Sequence, residues 1–151
     1  MSPKYIQTRV KQCKILAEQS TCTRRKIGAM LINPESNSVL SDGYNGPPRG
    51  AGELCGGNVC DREELGITSG TGMEIGCHHA EMNAILNSAR AGVSTLGAEL
   101  IITAEPCTMC AKAIHHAGIR KVYIVKGGYT GAGSTGVGYL KSNGVWVTSF
   151  S

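Results

Sequence analysis

His79-Ala80-Glu81 and Pro106-Cys107-Thr108-Met109-Cys110 bracket the stretch whose reading decides the fold. Between them lie an apolar run of helical period (Met82, Ala84, Ile85, Leu86, Ala89), a turn around Gly97 and a short apolar strand, Leu100 to Ile102. A helix, a turn and a strand in that order can bring the chain back to where it started, so the two clusters are expected to meet. The pattern predicts helices over Ala80 to about Ala91 and over Cys107 to Ala117, the second opened by Pro106, with Gly118 as its closing glycine. His115 and His116 fall in its last turn, where they read as surface residues facing the negative end of the helix dipole.

The residue types in these clusters suit a metal-dependent hydrolase. Zn²⁺ takes nitrogen and sulfur ligands, and a catalytic site supplies three of them while leaving one position open for water. His79, Cys107 and Cys110 make three. The cysteines are one turn apart at a helix N-terminus, where orphan N–H groups and the helix dipole favour thiolates. Glu81 lies close enough to handle the proton of a metal-activated water without ligating the metal. A purely structural zinc would have no use for Glu81. His-x-Glu with Pro-Cys-x-x-Cys is a signature of zinc-dependent nucleobase deaminases.

Working outward, the segment from Ala51 to Gly76 has no clean periodicity and needs a staple or a function. Cys55 and Cys60, with Cys22 before and Cys77 after, could close a four-cysteine structural zinc site; His78 is an alternative fourth ligand, and some of these thiols could equally be small buried residues. The basic triplet Arg24-Arg25-Lys26 stands directly before an apolar strand, Ile27 to Asn33, and reads either as a solvated edge or as a phosphate grip. A turn and a second strand, Val39 to Tyr44, complete an expected antiparallel hairpin. In Gly43-Tyr44-Asn45-Gly46-Pro47-Pro48-Arg49-Gly50, glycines flank an asparagine amide, which suits either a plain turn or a close ligand contact.

Pro3 to Gln19 carries apolar residues at Ile6, Val10, Cys13, Ile15, Leu16 and Ala17 and reads as an amphipathic helix. Downstream come a strand from Lys121 to Val125, a glycine-rich loop from Gly127 to Gly138, a helical turn from Tyr139 to Ser142 and a last strand from Val145 to Thr148. The sum is a single domain over 1–151 with about five strands and helices between them.

Composition narrows the class further. Of the 151 residues, 41% are apolar, enough for a core, and 21 glycines imply close backbone packing. No run approaches a signal peptide or a membrane span, so a cytoplasmic location with no membrane partner is expected. An odd count of seven cysteines in a reducing compartment favours zinc over a disulfide framework. The formal charge of +4 counts cysteines as neutral. A four-thiolate zinc site contributes about −2 and would bring the charge to roughly +2, which argues against a polynucleotide partner.

With Gly43-Tyr44-Asn45-Gly46-Pro47 upstream and Gly118-Ile119-Arg120-Lys121-Val122 downstream, the chain resembles the deoxycytidylate (dCMP) deaminases of bacterial or phage type over nearly its whole length. The resemblance implies a three-layer α/β/α cytidine-deaminase-like fold with a central mixed sheet, and hydrolysis of dCMP to dUMP and ammonia, feeding thymidylate synthesis. It implies catalytic zinc on His79, Cys107 and Cys110, Glu81 as proton shuttle, and substrate contacts from Ala80, Asn45 (to the deoxyribose), the segment Cys22 to Lys26 (near the 5′-phosphate) and Tyr129. It further implies a homohexamer activated by dCTP and inhibited by dTTP at the Gly43-Tyr44-Asn45-Gly46 loop, with Arg49 and Gly50, and Mg²⁺ on the effector triphosphate. A second, structural zinc would match Cys22, Cys55, Cys60 and Cys77, although Cys77 stands nearer His79 than the family spacing. Related readings are a tRNA adenosine deaminase, a free-nucleoside cytidine deaminase and a non-catalytic zinc-containing nucleotide sensor; the scattered basic residues speak against the first, and Glu81 against the last.

Overall fold

The computed structural model describes residues 1–129 and 135–151. Five strands, β1 (Gly28–Ile32), β2 (Val39–Tyr44), β3 (Glu99–Ala104), β4 (Lys121–Tyr129) and β5 (Trp146–Phe150), form one sheet in the order β2-β1-β3-β4-β5. β1 runs antiparallel to β2 and β3, while β3, β4 and β5 are parallel to one another. Parallel neighbours need crossovers. These are supplied by α4 (Thr108–His116) and α5 (Gly136–Ser142).

Every residue of β1 is buried, because helices cover both faces of the sheet. Alternation assigns the faces. Met30, Ile32, Ile101, Tyr123 and Val125 pack against Ile6, Val10 and Cys13 of α1 (Pro3–Ala17). Ala29, Leu31, Leu100, Ile102, Val122 and Ile124 face α3 (Ala80–Ala91), α4 and α5 through Ala80, Ala84, Ala111, Ile114 and Leu140. The result is the expected three-layer α/β/α sandwich with a mixed sheet.

Several local expectations are revised. Leu86 and Ile15 are exposed, and the buried stripe of α3 is Ala80, Glu81, Ala84 and Ser88, so a carboxylate and a hydroxyl occupy what the apolar pattern gave to Met82 and Leu86. α4 begins one residue later than predicted: Cys107 is its N-cap, its Sγ accepting the Cys110 N–H at 3.4 Å, and Pro106 precedes the cap. β4 continues through Gly127 and Gly128, which the sequence assigned to a loop. A Cβ on Gly128 would lie 2.3 Å from the Thr103 carbonyl oxygen, so only glycine allows that approach of β4 to β3. A short helix in the aperiodic segment, α2 (Asp61–Glu64), was not foreseen.

Candidate metal centre and active-site cleft

The site forms where β3 ends and two helices begin. His79 is the N-cap of α3 and Cys107 the N-cap of α4, so the centre faces the positive ends of two helix dipoles. His79 Nδ1 lies 3.6 Å from Cys107 Sγ and 3.5 Å from Cys110 Sγ. All three donor atoms fall within 4.8 Å of one another, the one such group among the described residues. A tetrahedral zinc with bonds of about 2.0–2.1 Å to nitrogen and about 2.3 Å to sulfur sets those donors roughly 3.5 Å apart, so the donor set fits the ion in type and in spacing.

The thiols behave as ligands in waiting. A hydrogen bond from Cys110, opposed by burial and reinforced by His79, lowers the Cys107 pKa to about 4, while the Cys107 sulfur and burial push the Cys110 thiol up. Glu81 is 3% exposed and its side chain reaches Cys110. Burial raises its pKa, and the neighbouring His79 opposes the rise. A carboxyl group held this way is a more willing proton acceptor than one in water, as a shuttle requires.

The cleft over this centre is lined by Arg24, Arg25, Asn45, Arg62, Ser69 and Gly70 in addition to the centre itself. Arg24 donates to the Ile67 carbonyl at 2.5 Å. Asn45 is buried and braces the cleft wall: its Oδ1 accepts from the Ile27 N–H and its Nδ2 donates to the Arg25 carbonyl, each at 2.8 Å. Lys26 does not line this cleft, although Arg25 borders both it and the groove that holds Lys26. It lines a separate groove with Lys14 and Lys126 on the α1 face. Ala80 packs wholly in the core. The side chain of Tyr129 lies outside the described residues.

Two further sets of sequence candidates find places. Gly43, Tyr44, Gly46, Arg49 and Gly50 line a cleft of about 480 Å³ with Asn83 and Asn87 of α3, and Arg49 donates to Asn87 Oδ1 at 2.9 Å. Asn45 faces the metal cleft instead, so this loop is a wall common to both. Gly43 also has a packing reason, since a Cβ there would sit 2.5 Å from the Ala84 nitrogen. Cys22, Cys55, Cys60 and Cys77 line one small cavity of about 20 Å³, and His78 is not part of its lining. His78 instead pairs its backbone with Gly46.

The sequence reading missed Arg62, Ser69 and Gly70. Arg62 lies within Asp61-Arg62-Glu63-Glu64, which has the composition of a solvated helix face, yet the arginine is 4% exposed. No local signal distinguishes it.

An α/β/α sandwich that holds a His-Cys-Cys centre and a buried glutamate at paired helix N-termini defines a class of zinc-site enzyme scaffold. Residues 3–126 match the family model described as the cytidine and deoxycytidylate deaminase zinc-binding region. The ComE operon protein 2 of Bacillus subtilis is 40% identical over 113 residues, spanning 74% of this chain and 54% of the relative, so the chain covers about half of that protein's length. The deoxycytidylate deaminase of Mycobacterium phage D29 is 34% identical over 116 residues, spanning 73% of this chain and 85% of the relative. A crystal structure of the dCMP deaminase of cyanophage S-TIM5 with dCMP and dUMP superposes with a TM-score of 0.81 at 30% identity, covering 99% of both chains. The chain belongs to the cytidine and deoxycytidylate deaminase family. No helix among the described residues is long and apolar enough to cross a membrane.

Proposed function

We propose that this chain, acting as one unit over residues 1–151, hydrolyses dCMP to dUMP and ammonia and so supplies the dUMP from which dTMP is made. The observation that carries the reading is one cleft holding both the His79-Cys107-Cys110 donor set with buried Glu81 and the cationic pair Arg24 and Arg25. A base deaminase without a phosphate to bind has no need of that pair. Relatives named deoxycytidylate deaminase, and a structural neighbour crystallised with dCMP and dUMP, support the choice of substrate.

His79, Cys107 and Cys110 hold the metal. When bound, Zn²⁺ supplies a coordinated water acidic enough to attack C4 of cytosine near neutral pH. Glu81 takes the proton that this water gives up and delivers it to N3 of the base as the new C4–O bond forms. It then takes the second proton from the oxygen now on C4 and passes it to the exocyclic amino group, which leaves as ammonia while the C4–N bond breaks and the C4=O bond of uracil forms. Burial of Glu81 keeps the shuttle out of exchange with bulk water. Asn45 holds the backbone of Arg25 and Ile27 so that the two arginines meet the 5′-phosphate, and its spare amide hydrogen faces the sugar.

Regulation and assembly extend this reading. The second cleft, at Gly43, Tyr44, Gly46, Arg49 and Gly50, would take dCTP as activator and dTTP as inhibitor with Mg²⁺ on the triphosphate, in a homohexamer working in the cytoplasm. Its support is the loop between the two clefts, in which Asn45 lines the catalytic one and its neighbours Tyr44 and Gly46 line the second. A second zinc would sit on Cys22, Cys55, Cys60 and Cys77. In its favour, the Arg24 and Arg25 N–H groups point at Cys22 Sγ and the Asp61 N–H at Cys55 Sγ. Burial works to raise the Cys55 pKa, but hydrogen bonds led by the Asp61 N–H outweigh it and the net shift is downward. Burial and the neighbouring thiols raise Cys77 to about 11, a cost that a metal among them would remove.

The test is ammonia release from dCMP, dCTP, deoxycytidine and an adenosine-containing RNA stem-loop, each with and without dTTP. Turnover should be confined to deoxycytidine nucleotides and fall with dTTP. Turnover of the stem-loop alone would overturn the substrate assignment, and no turnover of any would leave a nucleotide-binding zinc protein.

A further inference from the structure

The aperiodic segment contains a stretch of chain, residues 69–76, that crosses the metal cleft in contact with three of its residues. The contacts are marked by glycines. The Cβ that Gly70 lacks would lie 2.4 Å from Arg25 Nη2, that of Gly72 2.9 Å from Cys107 Sγ, and that of Gly76 2.4 Å from Arg62 Nε. The strap therefore lies against the cationic wall of the cleft, a thiol of the metal centre and a buried arginine in turn, and at Gly70 and Gly76, with φ of +84° and +99°, a side chain would also strain its backbone.

Arg62 is what holds the strap down. Its Nε donates to the Ile75 carbonyl at 2.7 Å, Nη1 to the Thr71 carbonyl at 2.6 Å and Nη2 to the Met73 carbonyl at 3.1 Å. One guanidinium thus gathers the carbonyls of 71, 73 and 75, so the segment, which bends over 74–76, curls around it. Nη1 also lies 3.3 Å from His79 Nε2, on the ring edge opposite the two cysteines. Among the described residues no carboxylate comes within ion-pair distance of Arg62, although it is almost fully buried. Burying a cation without a counter-ion is costly, and here the carbonyl dipoles of the strap offset it. A lysine could not make the same three-pronged contact.

We infer that Arg62 is a positioning residue: by pinning residues 69–76 it shapes the wall of the nucleotide cleft at Ser69 and Gly70, beside Arg25, while taking no part in the chemistry. This rests on the reading of the cleft as a dCMP site. The backbones of the three metal ligands are placed by α3 and α4, while Arg62 also touches His79 Nε2, so metal content is read alongside kinetics in each variant.

The experiment compares wild type with Arg62→Ala and Arg62→Lys in metal content, in hydrogen exchange over residues 69–76 and in dCMP kinetics. With zinc retained, exchange in 69–76 should speed up in Arg62→Ala, and KM should rise about tenfold while kcat stays within about threefold, the signature of lost binding without lost chemistry. Arg62→Lys should fall between the two, and it carries the same test if Arg62→Ala does not fold. A purely structural role would instead lower kcat with the folded fraction and leave KM alone; that result, or unchanged exchange in 69–76, overturns the inference. If wild type does not act on dCMP, the functional reading fails by itself, and exchange together with metal content still decides whether Arg62 pins the strap.

Discussion

Two groups of cysteines in this protein are built in opposite ways. Cys107 and Cys110, with His79, sit on the first turns of α3 and α4, and their donor atoms fall within 4.8 Å of one another because the sheet and two helices put them there. Cys22, Cys55, Cys60 and Cys77 come from the connection before β1 and from the long segment between β2 and α3. They surround a cavity without matching that mutual spacing. The first group is carried by helix starts that already set its donor atoms at metal-binding distance. The second is a set of loop anchors that a metal would draw together. Identical side chains serve different ends according to whether the backbone that carries them is already ordered.

The largest effect should come from the frame. Glu81→Gln should lower kcat by about 10²–10⁴-fold, the usual worth of a positioned acid–base group, with catalytic zinc still bound. Ammonia-release kinetics alongside metal analysis check this; activity within a few-fold of wild type would remove the shuttle role and leave only the metal centre on that side of the comparison.

A smaller effect should come from the anchors. Cys55→Ala should reduce zinc from about two to about one per chain, lower the thermal midpoint and loosen residues 51–78, while Cys107→Ser should remove the catalytic ion with little loss of stability. Atomic absorption and thermal melts of both variants read the contrast directly. One zinc per chain in wild type would mean that the four thiols are packing residues, and the contrast would be one of a metal site against a cysteine-lined loop.

The smallest effect concerns a cysteine that belongs to neither group. Cys13 is fully buried under α1, its thiol 3.7 Å from the Ile101 carbonyl, and burial, with Asp42, raises its pKa from 9.0 to about 12. The unfolded chain releases that proton near pH 9 and the folded protein holds it to about pH 12. Stability from the neutral thiol is therefore complete below pH 9 and is lost as pH rises toward 12. Melts of Cys13→Ala should show a shallower fall over that interval than wild type. Equal slopes would mean that other groups, Tyr123 among them, account for the alkaline loss.

Much of the frame was legible because its signals are local. Unbroken apolar runs at Ala29 to Ile32 and Leu100 to Ile102 mark strands buried on both faces, and His79, Glu81, Cys107 and Cys110 sit at helix starts that proline, cysteine and spacing announce. The errors are instructive. Leu86 reads as core and is exposed, whereas Glu81 and Ser88 read as polar and are buried, because the direction in which α3 meets the sheet is set by β1 and β2 and not by α3 itself. Lys26 reads as a partner of Arg24 and Arg25, yet it lines the groove on the α1 face with Lys14 and Lys126, and only Arg25 of the triplet borders both that groove and the metal cleft.

By itself the sequence singled out His79, Glu81, Cys107 and Cys110 as one cluster, the order of the five strands and of every helix but α2, and the family, since each rests on residue chemistry at short spacing or on periodicity within one element. Only the tertiary structure decided that Asn45 and Gly46 face different clefts, that Cys77 and not His78 joins the cysteine cavity, and that Arg62 lies buried beneath a strap of carbonyls. Those are contacts between segments far apart in the chain, and their geometry depends on how the whole sheet positions its loops. No window of sequence contains it.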